Sequence, residues 1–167
     1  MNSWERPKLK IPRTKSEWIW DLIGYSFYFS SIILLVIVWS RLPQEVPAHY
    51  NALGEVDRWG SKWELIILPF IGAFIGIMMQ VFEKFPEWHN YPKRFNESNA
   101  AKFYSHSRKL MNQIKNICFI IFALILFESV SIALEWRSST DTWFLPVAFI
   151  SVFIPIGVGL YKQKKIT

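Results

Sequence analysis

Cysteine is nearly absent: of 167 residues, only Cys118 carries a thiol. One thiol cannot close an internal disulfide or build a cysteine-based zinc or redox centre, and Cys118 lies in an apolar run where it behaves as a small hydrophobe. Charge is also sparse, at 19% of residues, and it falls between apolar blocks rather than along them. That pattern excludes disordered and fibrous classes. No nucleophile elbow, no H-E-x-x-H pair and no phosphate-binding glycine loop is present, so nothing marks the chain as an enzyme. Fixed-period repeats and low-complexity runs are missing too.

What the sequence does have is 51% hydrophobic and 17% aromatic residues, gathered into four blocks at about 22–39, 65–82, 117–134 and 143–161. Each block has the roughly 18 to 20 residues that a helix rising about 1.5 Å per residue needs to cross a hydrocarbon core of about 30 Å. Backbone groups in lipid are satisfied only in helices or closed barrels, and continuous apolar blocks without period-two alternation are helices. The expected fold is therefore an all-α integral membrane protein, a four-transmembrane-helix bundle with an ordered extracytoplasmic loop. No small-x-small cleavage signature follows the first block, so an uncleaved span is expected there rather than a secretory signal peptide. A membrane domain over residues 18–161 is flanked by basic segments at 1–17 and 162–167, with soluble stretches at 42–64 and 83–116.

Fifteen lysines and arginines flank the spans on one side, from Arg6 to Lys15, Lys84 to Lys115 and Lys162 to Lys165, against four on the other, Arg41, Arg58, Lys62 and Arg137. The positive-inside rule then puts both termini in the cytoplasm of a cell whose plasma membrane this chain crosses. The same placement explains a pI near 9.5 without nucleic acid, which is not an expected partner. Lys102, Arg108 and Lys109 form an expected surface for anionic headgroups. His89 and His106 are expected to be solvated, and Asp21 to pair with Lys15 or the basic residues of the inner loop. The inner halves of the spans look apolar, with only Gln80 and Asn112 near the inner end, which argues against a transport pathway.

The outer segment at 42–64 is longer and more polar than a connector requires. Pro43 and Pro47 set extended or turn conformations, and Gly54 allows positive φ. Two readings fit. His49, Asn51 and Asp57 converge around a turn at Gly54, with Lys62 as counter-charge, to bind a peptide, a small molecule or a metal; or these side chains satisfy one another and cap spans one and two. A single histidine among scattered carboxylates has no recognised metal-ligand spacing, and no metal or cofactor is expected.

Leu42-Pro43, Val46-Pro47, His49-Tyr50-Asn51, Gly54, Asp57-Arg58-Trp59 and Ser61-Lys62 together resemble the signature of the bacterial membrane family catalogued as domain of unknown function 1648. A weaker likeness runs through Asn90-Tyr91-Pro92, Asn99-Ala100 and Tyr104. The resemblance implies a multi-pass membrane fold. The best understood relatives are immunity proteins that guard Bacillus cells against a secreted killing-factor peptide and hold an autorepressor at the membrane, so similarity to them would imply peptide recognition and a cytoplasmic regulator. Those immunity members carry further spans and a polar stretch like G-I-R-x-P-W-T, which has no counterpart after Tyr104.

Glu128 stands well inside the third block, about 18 Å along a helix from Asn116. A carboxylate there costs about 2.5 to 3.5 kcal/mol on insertion scales unless it is paired, neutralised or facing water. Ser131 and Glu135 share its helical face, which suggests a polar pocket lidded by the outer segment; a protonated Glu128 bonded to a neighbouring helix is the structural alternative. Gly72 and Gly76 form a G-x-x-x-G pair for close helix packing, within the chain or in a homodimer. Pro69, Pro146 and Pro155 are expected to kink spans two and four. The expected function is non-enzymatic recognition of a peptide or small ligand at the outer face, at His49, Asn51, Gly54, Asp57, Lys62 and Glu128. A small transporter and a metal-dependent membrane enzyme are the alternatives.

Overall fold

The computed structural model describes residues 6–139 and 142–167. Residues 1–5 of the basic amino-terminal segment, and 140–141 in the short connector between the third and fourth spans, lie outside the described residues. Four helices are long and apolar enough to cross a membrane. They are α1 (Lys15–Val38), α2 (Ile67–Lys84), α3 (Ala100–Ala133) and α4 (Phe144–Lys164). The segment between α1 and α2 is not irregular: it pairs β1 (Glu45–Tyr50) with β2 (Val56–Ser61) as an antiparallel hairpin, so the otherwise all-α expectation gains a two-stranded sheet.

One spacing organises the bundle. The buried residues of α1 are Glu17, Asp21, Gly24, Tyr28, Ser31, Leu35 and Val38, separated alternately by four and three. Such a stripe keeps one face of a helix turned to a partner over its whole length. The partner is α3, whose buried residues include Arg108, Asn112, Lys115, Phe119, Ala123, Leu126, Val130 and Ala133, again three or four apart, with two successive fours from Lys115 through Phe119 to Ala123. The two helices run parallel, and α3 is the axis on which α1, α2 and α4 all pack, while α1 and α2 barely meet. At 34 residues, α3 is about 51 Å long, well beyond the hydrocarbon thickness, and its first turns belong to the segment expected as an inner loop. It starts at Ala100 with Asn99 at the N-cap, after a turn in which Asn96 Oδ1 accepts from Ser98 N–H at 2.9 Å.

Helix ends explain several departures from expectation. Trp136 N–H donates to the Ser131 carbonyl at 2.8 Å and Glu135 N–H to that of Ile132 at 3.0 Å, the paired bonds of a Schellman stop. Glu135 takes the left-handed position, with φ of 59°, a conformation that costs a non-glycine residue about 1–2 kcal/mol. It has left the helix, so it does not extend the face of Glu128 and Ser131. Pro69 and Pro146 occupy the first turns of α2 and α4, where a missing N–H breaks nothing, and only Pro155 lies in a helix interior. Gly72 and Gly76 are used within the chain. A Cβ at Gly72 would stand 2.7 Å from the Tyr28 ring, and one at Gly76 would strike Phe119.

Two cores result. At the hairpin end, Leu35, Val38, Leu42, Val46, Leu65, Leu126 and Val130 pack together, and Val46 ties the hairpin into the bundle. At the other end, Phe95, Phe103, Tyr104 and Tyr91 form an aromatic cluster. Both termini are fastened there: Arg6 donates to the Glu87 carbonyl at 2.9 Å, and Arg94 to that of Ile166 at 3.0 Å.

Candidate functional site

The hairpin turn is built by two of the residues singled out from sequence. Asn51 Oδ1 accepts from Leu53 N–H at 2.9 Å and Glu55 N–H at 3.0 Å, an Asx turn, and its amide donates to Glu55 Oε2 at 2.8 Å. Gly54 closes the turn with φ of 81°. Both positions are set by backbone geometry. The strands are bulged on either side of His49, which re-aims the side chains there. His49 Nδ1 lies 2.6 Å from Asp57 Oδ1 across the ladder, and the pair is largely exposed.

Lys62 goes elsewhere. Its ammonium sits 5.2 Å over the Trp39 ring, itself edge-on to Trp63, a cation–π arrangement at the rim of the bundle. The cation beside His49 is Arg58, which donates to Glu64 Oε2 at 2.9 Å and to the Ala48 carbonyl at 3.2 Å. The absent side chain of Gly60 leaves room for Glu64 to fold back under the strand. The guanidinium raises its own proton affinity by this hydrogen bond and the charge of Glu64.

Beneath the hairpin lies a cavity of about 340 Å³. One wall is Pro47, His49, Tyr50, Gly54 and Arg58 of the hairpin; the other is Leu68 of α2, Ile125, Glu128 and Ser129 of α3, and Phe144 of α4. Tyr50 crosses to α3, its hydroxyl 2.9 Å from Ser129 Oγ. Glu128 faces this cavity and is paired: Arg137, just past the end of α3, donates to its Oε1 at 2.6 Å. Ser131 is not among the residues lining the cavity; it is buried, and its Oγ finds no hydrogen-bond partner among the described residues. Of the six residues expected at the site, the structure brings His49, Gly54 and Glu128 to one cavity, puts Asp57 behind His49, uses Asn51 for the turn and turns Lys62 away. Tyr50, Arg58, Ser129 and Arg137 complete it. Tyr50 was legible in the motif beside His49, whereas Ser129 and Arg137 carry no local signal.

A second polar cluster, at the termini end, corrects the reading of the inner halves as apolar. Arg108 is not part of a headgroup surface. It is buried, with Nε 2.7 Å from Glu17 Oε1, while its other nitrogens donate to the carbonyls of Ile11 at 2.6 Å and Pro12 at 2.8 Å. Glu17 also accepts from Thr14 N–H at 2.7 Å, so one carboxylate caps α1 and neutralises α3. Lys115, fully buried, contacts Glu83 Oε1 at 2.8 Å, Asp21 Oδ1 at 3.1 Å and Gln80 Oε1 at 2.9 Å. Asp21 further accepts from Asn112 at 2.7 Å, Asn116 at 2.9 Å and Arg13. Three cations face three carboxylates. Asp21 thus meets Lys115 and Arg13 rather than Lys15, and His106 is not merely solvated, its Nε2 donating to the Gly159 carbonyl at 2.8 Å.

Between the two clusters stands an aromatic layer in which Tyr28 stacks on Phe119 with centroids 4.7 Å apart and donates to the Pro69 carbonyl at 2.6 Å. Among the described residues, no three His, Cys, Asp or Glu side chains come together to hold a metal.

The family model described as "Domain of unknown function (DUF1648)" matches residues 27–73, from the middle of α1 through the hairpin into α2. An uncharacterized protein of Archaeoglobus fulgidus is 36% identical over 80 residues, 47% of this chain and 42% of that relative. The chain thus spans less than half the length of the curated relative it matches. No solved structure matches it.

Proposed function

We propose that this multi-pass membrane protein is a non-enzymatic receptor, whose hairpin-lidded cavity recognises the apolar end of a peptide, or a small amphipathic molecule, at the outer face of the plasma membrane. The observation that carries this reading is the cavity itself. At about 340 Å³ it falls in the range of small-ligand sites, with apolar walls from Pro47, Leu68, Ile125 and Phe144 and a few convergent polar groups from His49, Arg58, Glu128 and Ser129. Its side of the membrane follows from the positive-inside rule, which turns the hairpin outward. The match over residues 27–73 spans the part of the chain that builds the lid. Occupancy would act on the bundle through Glu128–Arg137 and Tyr50–Ser129, the contacts that join lid to helix. Protection from a secreted peptide, or relay of its presence to a regulator on the cytoplasmic side, would be the consequence.

Transport fits less well. The stacked Tyr28–Phe119 layer stands between the cavity and the charged cluster and speaks against a polar path joining them. Catalysis has weaker support still, because the polar groups around the cavity are engaged with one another as His49–Asp57, Arg58–Glu64 and Glu128–Arg137.

The test is survival of a killing-factor-sensitive Gram-positive strain expressing the chain, beside Ser129→Trp, which fills the cavity, and Glu128→Gln, at matched membrane abundance. Binding of the same peptide to nanodisc-embedded protein is measured in parallel. Binding that is lost in Ser129→Trp supports the cavity, and survival alongside it supports immunity. Binding without survival supports signalling. No binding by the unmodified protein removes this peptide as the ligand, and binding unaffected by Ser129→Trp removes the cavity as the site.

A further inference from the structure

The fourth helix is held differently from the others. Within the protein, 50% of the apolar stretch of α3 is buried against 6% of that of α4. The two are clasped near the carboxyl-terminal end of α4, where Leu110 packs 2.6 Å from the place a Cβ of Gly159 would take and His106 donates to the Gly159 carbonyl. Beyond that clasp they part. Between them runs an apolar slot of about 410 Å³, lined by Ile121 and Leu124 of α3 and Val147, Ile150 and Ile154 of α4, with Trp20 of α1 as its side wall. Through the shared Trp20, Gln113 and Pro155 the slot meets a second hollow of about 360 Å³. Lys109, Lys162 and His106 stand around that hollow, with Ser16 and Glu17 opposite.

We infer that this groove binds one anionic phospholipid, its acyl chain along the slot and its phosphate between Lys109 and Lys162. Length fits the assignment. The fifteen helical steps from Leu124 to Lys109 span about 22 Å of α3, enough for one leaflet's share of a core about 30 Å thick and the start of its headgroup layer. Charge fits as well. Neither lysine makes an ion pair among the described residues, whereas the carboxylate at the mouth, Glu17, is already held by Arg108 at 2.7 Å. The mouth is therefore net cationic. A soluble anion would satisfy the lysines and leave the slot empty; a helix from a second copy would fill the slot and leave the lysines without counter-charge. A zwitterionic headgroup would bring its own cation against them. A phospholipid of net negative charge satisfies both halves.

Native mass spectrometry of the purified chain, exchanged into micelles with equal phosphatidylglycerol and phosphatidylcholine, tests the assignment. One retained phosphatidylglycerol per chain is expected, in clear excess over phosphatidylcholine. Lys109→Gln with Lys162→Gln, both exposed and outside the buried network, should weaken retention roughly thirtyfold, about fivefold for each lysine at a membrane surface. Ile150→Trp should release both lipids alike, since it blocks the slot and leaves the mouth intact. Equal retention of the two lipids, a double lysine variant that keeps its phosphatidylglycerol, displacement of the lipid by inorganic phosphate, or a lipid-free dimer would each overturn the proposal. If Ile150→Trp fails to fold, the lysine pair decides it alone.

Discussion

The two ends of the α1–α3 seam share one spacing and opposite chemistry. At the hairpin end, Leu35 and Val38 meet Leu126 and Val130, and the polar groups sit outside the seam around the cavity under the hairpin. At the termini end, Glu17 and Asp21 meet Arg108, Asn112 and Lys115, and the polar groups are the seam. An aliphatic seam accepts neighbouring registers at little cost, whereas matched ions and amides accept one. The difference teaches a division of labour: charges inside the packing fix how the helices align, and charges beside the packing pair locally around the cavity, as His49–Asp57, Arg58–Glu64 and Glu128–Arg137.

The largest effect should come from cutting the inner network at its centre. Lys115→Met removes the buried cation from between Asp21 and Glu83 and leaves them Arg13, 2.5 and 3.7 Å away; breaking a buried pair costs about 3–5 kcal/mol, of which the half-buried Arg13 offsets a part. Lys62→Ala at the other end removes only an ammonium over the Trp39 ring, about 0.5–1 kcal/mol. Unfolding midpoints in denaturing detergent compare the two directly. The comparison sharpens if Glu83→Gln and Asp21→Asn are then added to Lys115→Met. Recovered stability with a changed α1–α3 register, read by cysteine crosslinking across the seam, would show that the ions specify alignment rather than supply stability. Equal losses for Lys115→Met and Lys62→Ala would break the distinction between the ends.

A smaller effect is expected from the glycines, which separate close packing inside the bundle from open surface on α4. Gly76→Ala drives a methyl into the Phe119 ring of the middle layer, and overpacking of this kind costs about 1–3 kcal/mol. At Gly157 no atom of the described residues lies within 4 Å of the place a Cβ would occupy. Gly157→Ala should be neutral or stabilising by up to about 1 kcal/mol, because alanine is the better helix former. The readout is the melting temperature of each variant in the same detergent. A loss at Gly157 as large as that at Gly76 would mean that α4 is covered along its length by something other than lipid.

The sequence was most legible where periodicity and turn chemistry act locally. Four apolar blocks gave four helices, and the Asn51–Gly54 turn followed from residues that tolerate its geometry. The ion cluster was hidden by the way charge was counted. Lys115 and Arg108 precede the first uninterrupted apolar run of α3, so hydropathy alone assigns them to a loop. Glu17 and Asp21 nevertheless continue the four-three spacing of the apolar stripe beyond them, and Arg108, Asn112 and Lys115 stand on the same face of α3 as Phe119, at three- and four-residue steps. The spacing carried the signal, and hydropathy masked it. Arg137 and Ser129 could not be assigned to the cavity from sequence, since their contacts depend on where α3 stops and on how the hairpin folds back over it.

The smallest expected effect belongs to a group beside the seam at the termini end. His89 lies between Phe82 and Tyr91, with ring centroids 6.0 and 6.3 Å away, and its Nε2 donates to the Phe82 carbonyl at 3.0 Å. Burial pushes its pKa below the usual 6.5; the Phe82 carbonyl and Glu87 pull it back, and Arg6 lowers it further. In the unfolded chain the ring takes up a proton near pH 6.5, while the folded protein keeps it neutral. The unfolded state then binds more protons, so stability falls as pH drops from about 6.5 toward the depressed folded value, and levels off below it. Melts between pH 8 and pH 5 should show this decline in the unmodified chain and a flatter profile in His89→Gln, which keeps a donor for Phe82 without the titration. An identical decline in both would assign the pH dependence to other groups. A flattened one would show that this end of the molecule handles charge in two ways, pairing it inside the seam and excluding it from the aromatic packing alongside.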